Sequence, residues 1–382
     1  MGVGLVLVVA LVGAGVWVFD RPQADGQARA TLTALQADDT SQYFTRATAI
    51  RDFKWPDDHG PHNDFQTEWW YYTGNLQDAA GRHFGYQFTI FRRALAPTAS
   101  AVTQADFAFN QIYFAHFALT DSAGNDHVAF EKYSRSAAGL AGAETSPFQV
   151  FIEDWSISGP RAETVRIKAA QDDYAIDLEL VASKPIVLQG DRGLSRKSNE
   201  PGNASYYYSI TRMQTHGKVR SKSGEFDVQG NSWMDREWST SALNKEAVGW
   251  DWFAIQLDDG RDLTLGWIRN RDGSVDSTWG GSLVEADGTT RRVLGADFQA
   301  TPLETWRSPR SNADYPIKWK IVFPKEDLTL EISARIPDQE MNLIQLYWEG
   351  ATTITGSQAG KPLSGVGYLE LTGYGSGKSR EM

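Results

Sequence analysis

Gly and Asp punctuate this chain between short runs of alternating side chains, and that punctuation limits its fold more than any other feature. Asp78 to Gly81, Asp121 to Asn125, Lys222 to Gly224, Asp258 to Gly260, Asp272-Gly273 and Asp287-Gly288 each separate two apolar or alternating runs. Gly, Asn and Asp accept the positive φ of tight hairpin turns, and period-two alternation is the mark of a strand with two different faces. Asn110 to Thr120 shows it: Tyr113, Ala115, Phe117 and Leu119 share one face, and Ile112, Phe114, His116 and Ala118 the other. From Trp55 to Tyr374 no long amphipathic helix interrupts the series. That argues against a βαβ sheet, and the expected class is all-β, built as antiparallel barrels or sandwiches.

A chain of 382 residues is too long for one small core, so two domains are expected. A weak internal repeat agrees. Trp69-Trp70-Tyr71, followed by Leu76, Asp78 and Gly81-Arg82, can be laid over Trp250-Asp251-Trp252, followed by Leu257, Asp258 and Gly260-Arg261. The expected domains are residues 51–240 and 241–376. Ahead of them, Val3 to Phe19 is an uninterrupted apolar run ending at Asp20-Arg21-Pro22. Residues 1–22 therefore read as a helical signal peptide or signal anchor, and residues 23–50 as a tether. The body is expected to be periplasmic or secreted, held at the inner membrane by residues 3–19 if the leader stays uncleaved.

With no cysteine, the chain can have no disulfide, thiolate nucleophile or Cys-bound zinc. Its net charge of -11, with acids and bases interspersed, excludes nucleic acid as a partner. G-x-S-x-G, S-x-x-K and H-E-x-x-H are absent, and Gly375 to Ser379 lacks the first glycine of a P-loop.

Three constellations remain. Asp57-Asp58-His59-Gly60-Pro61-His62-Asn63-Asp64, with Glu68, places two histidines near several carboxylates. That composition suits proton transfer by His62, Asp64 or Glu68, and equally a turn tied to backbone amides; no metal is assigned. In Trp233-Met234-Asp235-Arg236-Glu237-Trp238, strand alternation puts Trp233, Asp235 and Glu237 on one face and Met234, Arg236 and Trp238 on the other. Buried carboxylates must be paired, for example with Arg236 or Arg92, or be used in chemistry. Finally, Trp69, Trp70, Tyr71, Trp250 and Trp252 supply ring surface for a core or a ligand wall.

The stretches Asp58 to Leu76, His116 to Asp121, Trp233 to Trp238, Trp250 to Phe253, Tyr347 to Gly350 and Gly365 to Tyr374 resemble the AttH/carotenoid 1,2-hydratase family. The resemblance implies two consecutive lipocalin-like antiparallel β-barrels. It also implies an elongated hydrophobic ligand, isoprenoid or lipid, against Trp69, Trp70, Tyr71, His116, Trp233, Trp238, Trp250 and Trp252. Carotenoid hydratases add water to a terminal double bond without a cofactor, which needs an acid, a base and aromatic faces for the cation. Asp235 and Glu237 are the first candidates for that work, followed by Asp64, Glu68 and His62. Where the hydratases carry His, this chain has Arg236, which cannot shuttle a proton near neutral pH and points away from carotenoid itself. The AttH branch is associated with ABC-transporter gene clusters, so a non-catalytic lipid carrier serving an ABC transporter is the alternative. A secreted hydrolase would need a nucleophile or metal that the sequence does not display.

Overall fold

Each of the six turn sequences closes an antiparallel hairpin. Gly81, Gly260 and Gly288 take φ of +83°, +90° and +88°, where a Cβ would be strained. The computed structural model describes residues 41–97, 110–240, 246–276 and 280–375. The apolar leader, and the tether up to residue 40, lie outside the described residues.

Strands from Thr67–Gln77 to Gly224–Ser239 form one sheet, and strands from Ala247–Leu257 to Lys361–Thr372 form another. The first curls until its Phe148–Ile152 strand meets His83–Ala94, Gln111–Asp121 and Asp126–Arg135, making a nearly closed barrel. The second is a half-barrel. Its edge strand Gln299–Arg307 is exposed along most of its length, so the sheet ends in solvent instead of closing. The architecture is all-β and consistent with two consecutive lipocalin-like barrels, the second of them open. The two repeated stretches are the first hairpins of the two sheets.

Period-two alternation decides what each sheet encloses. Trp70, Tyr72, Phe88 and Phe117 fill the first barrel, and Phe253, Trp319, Leu369 and Leu371 pack inside the second sheet. The alternate residues Tyr71, Trp233, Trp252 and Tyr368 point outward, and these outward faces pack on one another. That second burial explains why Thr67–Gln77 and Ala247–Leu257 are buried on both faces instead of half-exposed.

The seam between the sheets is held by polar clamps. Asp262, buried on the second sheet, pairs at 2.6 Å with Arg212 of the first sheet and at 2.8 Å with Lys184, in the connection between two of its strands. Gln256 donates to the carbonyls of Thr211 and Ser232, and Asn75 to that of Gly367. At Gly85 the sheets come so close that a Cβ would lie 2.5 Å from that of Ala351. Glycine is needed there.

Candidate active site between the two sheets

Asp235 leaves the first sheet towards the seam, in register with Tyr71 on one neighbouring strand and Ser209 on the other. Three donors converge on its carboxyl: Tyr207 at 2.8 Å, Trp233 at 2.8 Å and the Ser209 hydroxyl. Burial pushes the acid up to about 7 against those donors, and neighbouring Glu237 pushes in the same direction. Glu237 itself is paired with Lys197 at 2.7 Å.

Two more acids face them from the second sheet. Glu349 and Glu370 are cross-strand partners. Burial lifts Glu370 to about 7, aided by Asp235 and Glu237 and opposed by a hydrogen bond involving Trp250. Glu349 is held well above the usual carboxylate range by burial and by Glu370. The Tyr71 hydroxyl crosses the seam to donate to Glu349 at 2.6 Å, and the Tyr347 hydroxyl lies 2.8 Å from His116 Nδ1. Burial lowers His116 to about 3, so this imidazole is neutral at physiological pH.

Rings enclose the acids. Trp252 meets Tyr71 edge-on at 5.4 Å and Trp233 at 6.1 Å, while Trp69 and Trp250 are half-buried beside them. From Trp69 a row of half-buried rings runs outward through Phe91, Phe114 and Tyr133, with Phe91 and Phe114 stacked at 4.4 Å. The seam thus combines two acids poised near neutrality, Asp235 and Glu370, a third, Glu349, that holds its proton more tightly, and aromatic faces, the parts needed to move a proton on an apolar molecule.

The remaining sequence candidates lie on the other face of the first sheet. Glu68 is fully buried between Arg92 and Arg236, which both pair with it. Burial would raise its carboxyl, but the two guanidinium groups hold it well below the usual range. Asp235 and Glu237 therefore do not use Arg92 or Arg236 as partners. Arg236 lies over Trp70 at 4.1 Å, and His62 stacks on Trp238 at 3.8 Å. His62 also contacts Asp58 at 3.0 Å, and Asp64 is exposed. Glu68, His62, Trp70 and Trp238 thus form a pinned corner at the mouth of the first barrel. Arg92 holds the carbonyls of His62 and Phe65, and Arg236 that of Gly60. The structure separates this corner and Asp64 from the seam, where Trp69, Tyr71, His116, Trp233, Asp235, Glu237, Trp250 and Trp252 gather.

The AttH-like family model matches residues 46–374. This chain belongs to the AttH-like family. An AttH-type protein of Nitrosomonas europaea is 34% identical, with a TM-score of 0.75 over 85% of this chain and 97% of that one. Kievitone hydratase from Nectria haematococca shares the fold at 15% identity, with a TM-score of 0.65 over 86% of this chain and 95% of that one. The dehydratase asqC of Emericella nidulans is 22% identical over 240 residues, 56% of this chain and 63% of that protein. This chain thus spans less than two thirds of that relative's length. Of these relatives, one is a hydratase and one a dehydratase.

In this AttH-like chain, reading the sequence overlooked Glu349, Glu370, Tyr207, Ser209, Tyr347 and Lys197 as site residues. One signal was available. In Gly367 to Thr372 the acid Glu370 alternates with Leu369 and Leu371, the same pattern that singled out Asp235 and Glu237. An acid on the far side of an apolar strand face needs either water or a partner sheet.

Proposed function

We propose that this AttH-like protein is a cofactor-free hydratase or dehydratase acting on an elongated apolar molecule held between the two sheets. The observation that carries this reading is Asp235, an acid poised near neutrality under three donors, with Glu370, raised to the same range, and Glu349, raised well above it, across the seam beside the tryptophans. In the hydration direction, a seam carboxyl gives its proton to one carbon of a double bond. Water then bonds to the other carbon and releases a proton to a carboxylate. The alkene π pair becomes the new C–H bond, and a water lone pair becomes the C–O bond. Run backwards, the same groups protonate a hydroxyl, release it as water and take the neighbouring C–H proton. The indole faces of Trp233 and Trp252 stabilise positive charge between the two steps. The hydratase and dehydratase among the relatives, and the ring row leading to the seam, support the reading.

The test incubates the full chain with terminal isoprenoid alkenes, and with their alcohols, in ¹⁸O-labelled water. Product carrying one labelled oxygen, lost in Asp235→Asn, is expected. Tight ligand retention without labelled product from any substrate would replace the enzyme by a carrier.

A further inference from the structure

Behind Asp235, away from the ring row, runs a string of polar side chains that spans both sheets. Gln189 directly follows Val187–Leu188, a short strand of the first sheet, and its backbone N–H donates to the Tyr207 carbonyl. Its side-chain nitrogen donates to Ser209 at 2.9 Å and to Thr264 of the second sheet at 3.0 Å. Its oxygen accepts from Ser282, also of the second sheet, at 3.1 Å. All four side chains are buried. Gln189 and Thr264 also line a crevice with Ser195, Arg196, Gly281 and Arg292, with room for about one water molecule.

The chemistry of this string has one direction. An amide nitrogen only donates, so the Ser209 oxygen must accept from Gln189. The single hydroxyl hydrogen of Ser209 is then left for Asp235. We propose that Gln189 is a positioning residue: gripped by Thr264 and Ser282, it aims the Ser209 hydroxyl at Asp235 and so ties the docking of the two sheets to the state of that carboxyl. Undocking would remove both second-sheet anchors at once and free Ser209 to turn away. The chemical use of Asp235 rests on the function proposed above; the orientation of Ser209 does not. The other groups facing Asp235 are Tyr71, Tyr207 and Glu237 with its Lys197 on the first sheet, and Glu370 on the second, with Glu349 beyond Tyr71. Each keeps its own partners when Gln189 is changed.

The experiment follows the Asp235 carboxyl carbon by NMR in ¹³C-aspartate-labelled full chain, with Asp235→Asn assigning the signal. Gln189→Met keeps the length of the side chain and removes its donor. The Asp235 midpoint is expected to rise by about half to one pH unit, the weight of one hydrogen bond to the ionised form. Gln189→Glu, which would accept from Ser209 instead of donating to it, should shift the midpoint in the same direction. If the variants at position 189 do not fold, Ser282→Ala removes only the outermost link and should give a smaller rise. An unchanged midpoint in the folded variants overturns the inference, whatever happens to stability. A raised midpoint without hydratase turnover would keep this inference and sink the proposed function; turnover with an unmoved midpoint would do the reverse.

Discussion

Glu349 and Glu370 stand directly opposite each other on neighbouring strands of the second sheet. Like charges in that position repel, so burial favours a shared proton. Glu370, raised to about 7 when folded, stabilises the protein fully below its unfolded value of about 4.5 and loses that contribution as pH rises through about 7. Glu370→Gln should therefore flatten the fall in melting temperature between pH 5 and pH 8. At pH 8 it should be the more stable protein, by on the order of 1 kcal/mol. Parallel melting curves for the two proteins would show that the pair shares no proton.

Asp235→Asn should fold normally. The asparagine oxygen can keep the bonds from Ser209 and Trp233, and its amide can donate to the Tyr207 hydroxyl once that hydroxyl turns. If Asp235 is the acid or base of the reaction, turnover should fall by about 10²–10⁴-fold while ligand affinity changes little. Titration calorimetry beside product assays checks both halves.

Glu68→Gln should be among the most destabilising neutralisations in the first barrel, at about 3–5 kcal/mol, because it leaves Arg92 and Arg236 buried and uncompensated. The Glu68 carboxyl is held below its unfolded value, so its contribution is complete above about pH 4.5 and fades as pH falls towards the depressed folded value. Urea unfolding at pH 7 and pH 3 measures this: the difference between wild type and variant should shrink in acid.

Asp262→Asn should loosen the sheets from one another. Lys184 and Arg212 would lose the carboxylate that draws both to the second sheet. Hydrogen exchange should rise in the segments around Thr211 and Gln256, which meet across the seam, and less in the first-barrel strand around Phe117. Uniform protection in the variant would mean that the apolar seam alone holds the sheets.

Trp69 and Phe91 open the ring row at the seam. Trp69→Ala should raise the Kd of an apolar ligand by about tenfold, since a ring of this size contributes about 1–2 kcal/mol by contact. Its half-buried position predicts little change in melting temperature. A large loss of stability with unaltered affinity would place the ring in the structural core.

Hairpin turns, strand lengths and the two faces of each strand were legible in the chain because they depend on neighbours a few residues away. Alternation correctly put Trp233, Asp235 and Glu237 on one side and Arg236 with Trp238 on the other. Closeness in sequence rightly brought His62 and Glu68 together, but it could not show that Asp64 stays exposed or where this corner faces. Glu68 is spent on Arg92 and Arg236, and this corner faces away from Asp235. The opening of the second barrel, the pairing of Glu237 with Lys197, and the convergence of Glu349 and Glu370 on the seam came only from the tertiary structure. Tyr71 and Glu349 are 278 positions apart, yet share a hydrogen bond. Local alternation tells which side chains leave a strand together. Whether that face meets water or another sheet depends on how distant surfaces dock, and here docking is what buries the acids and raises their affinity for protons.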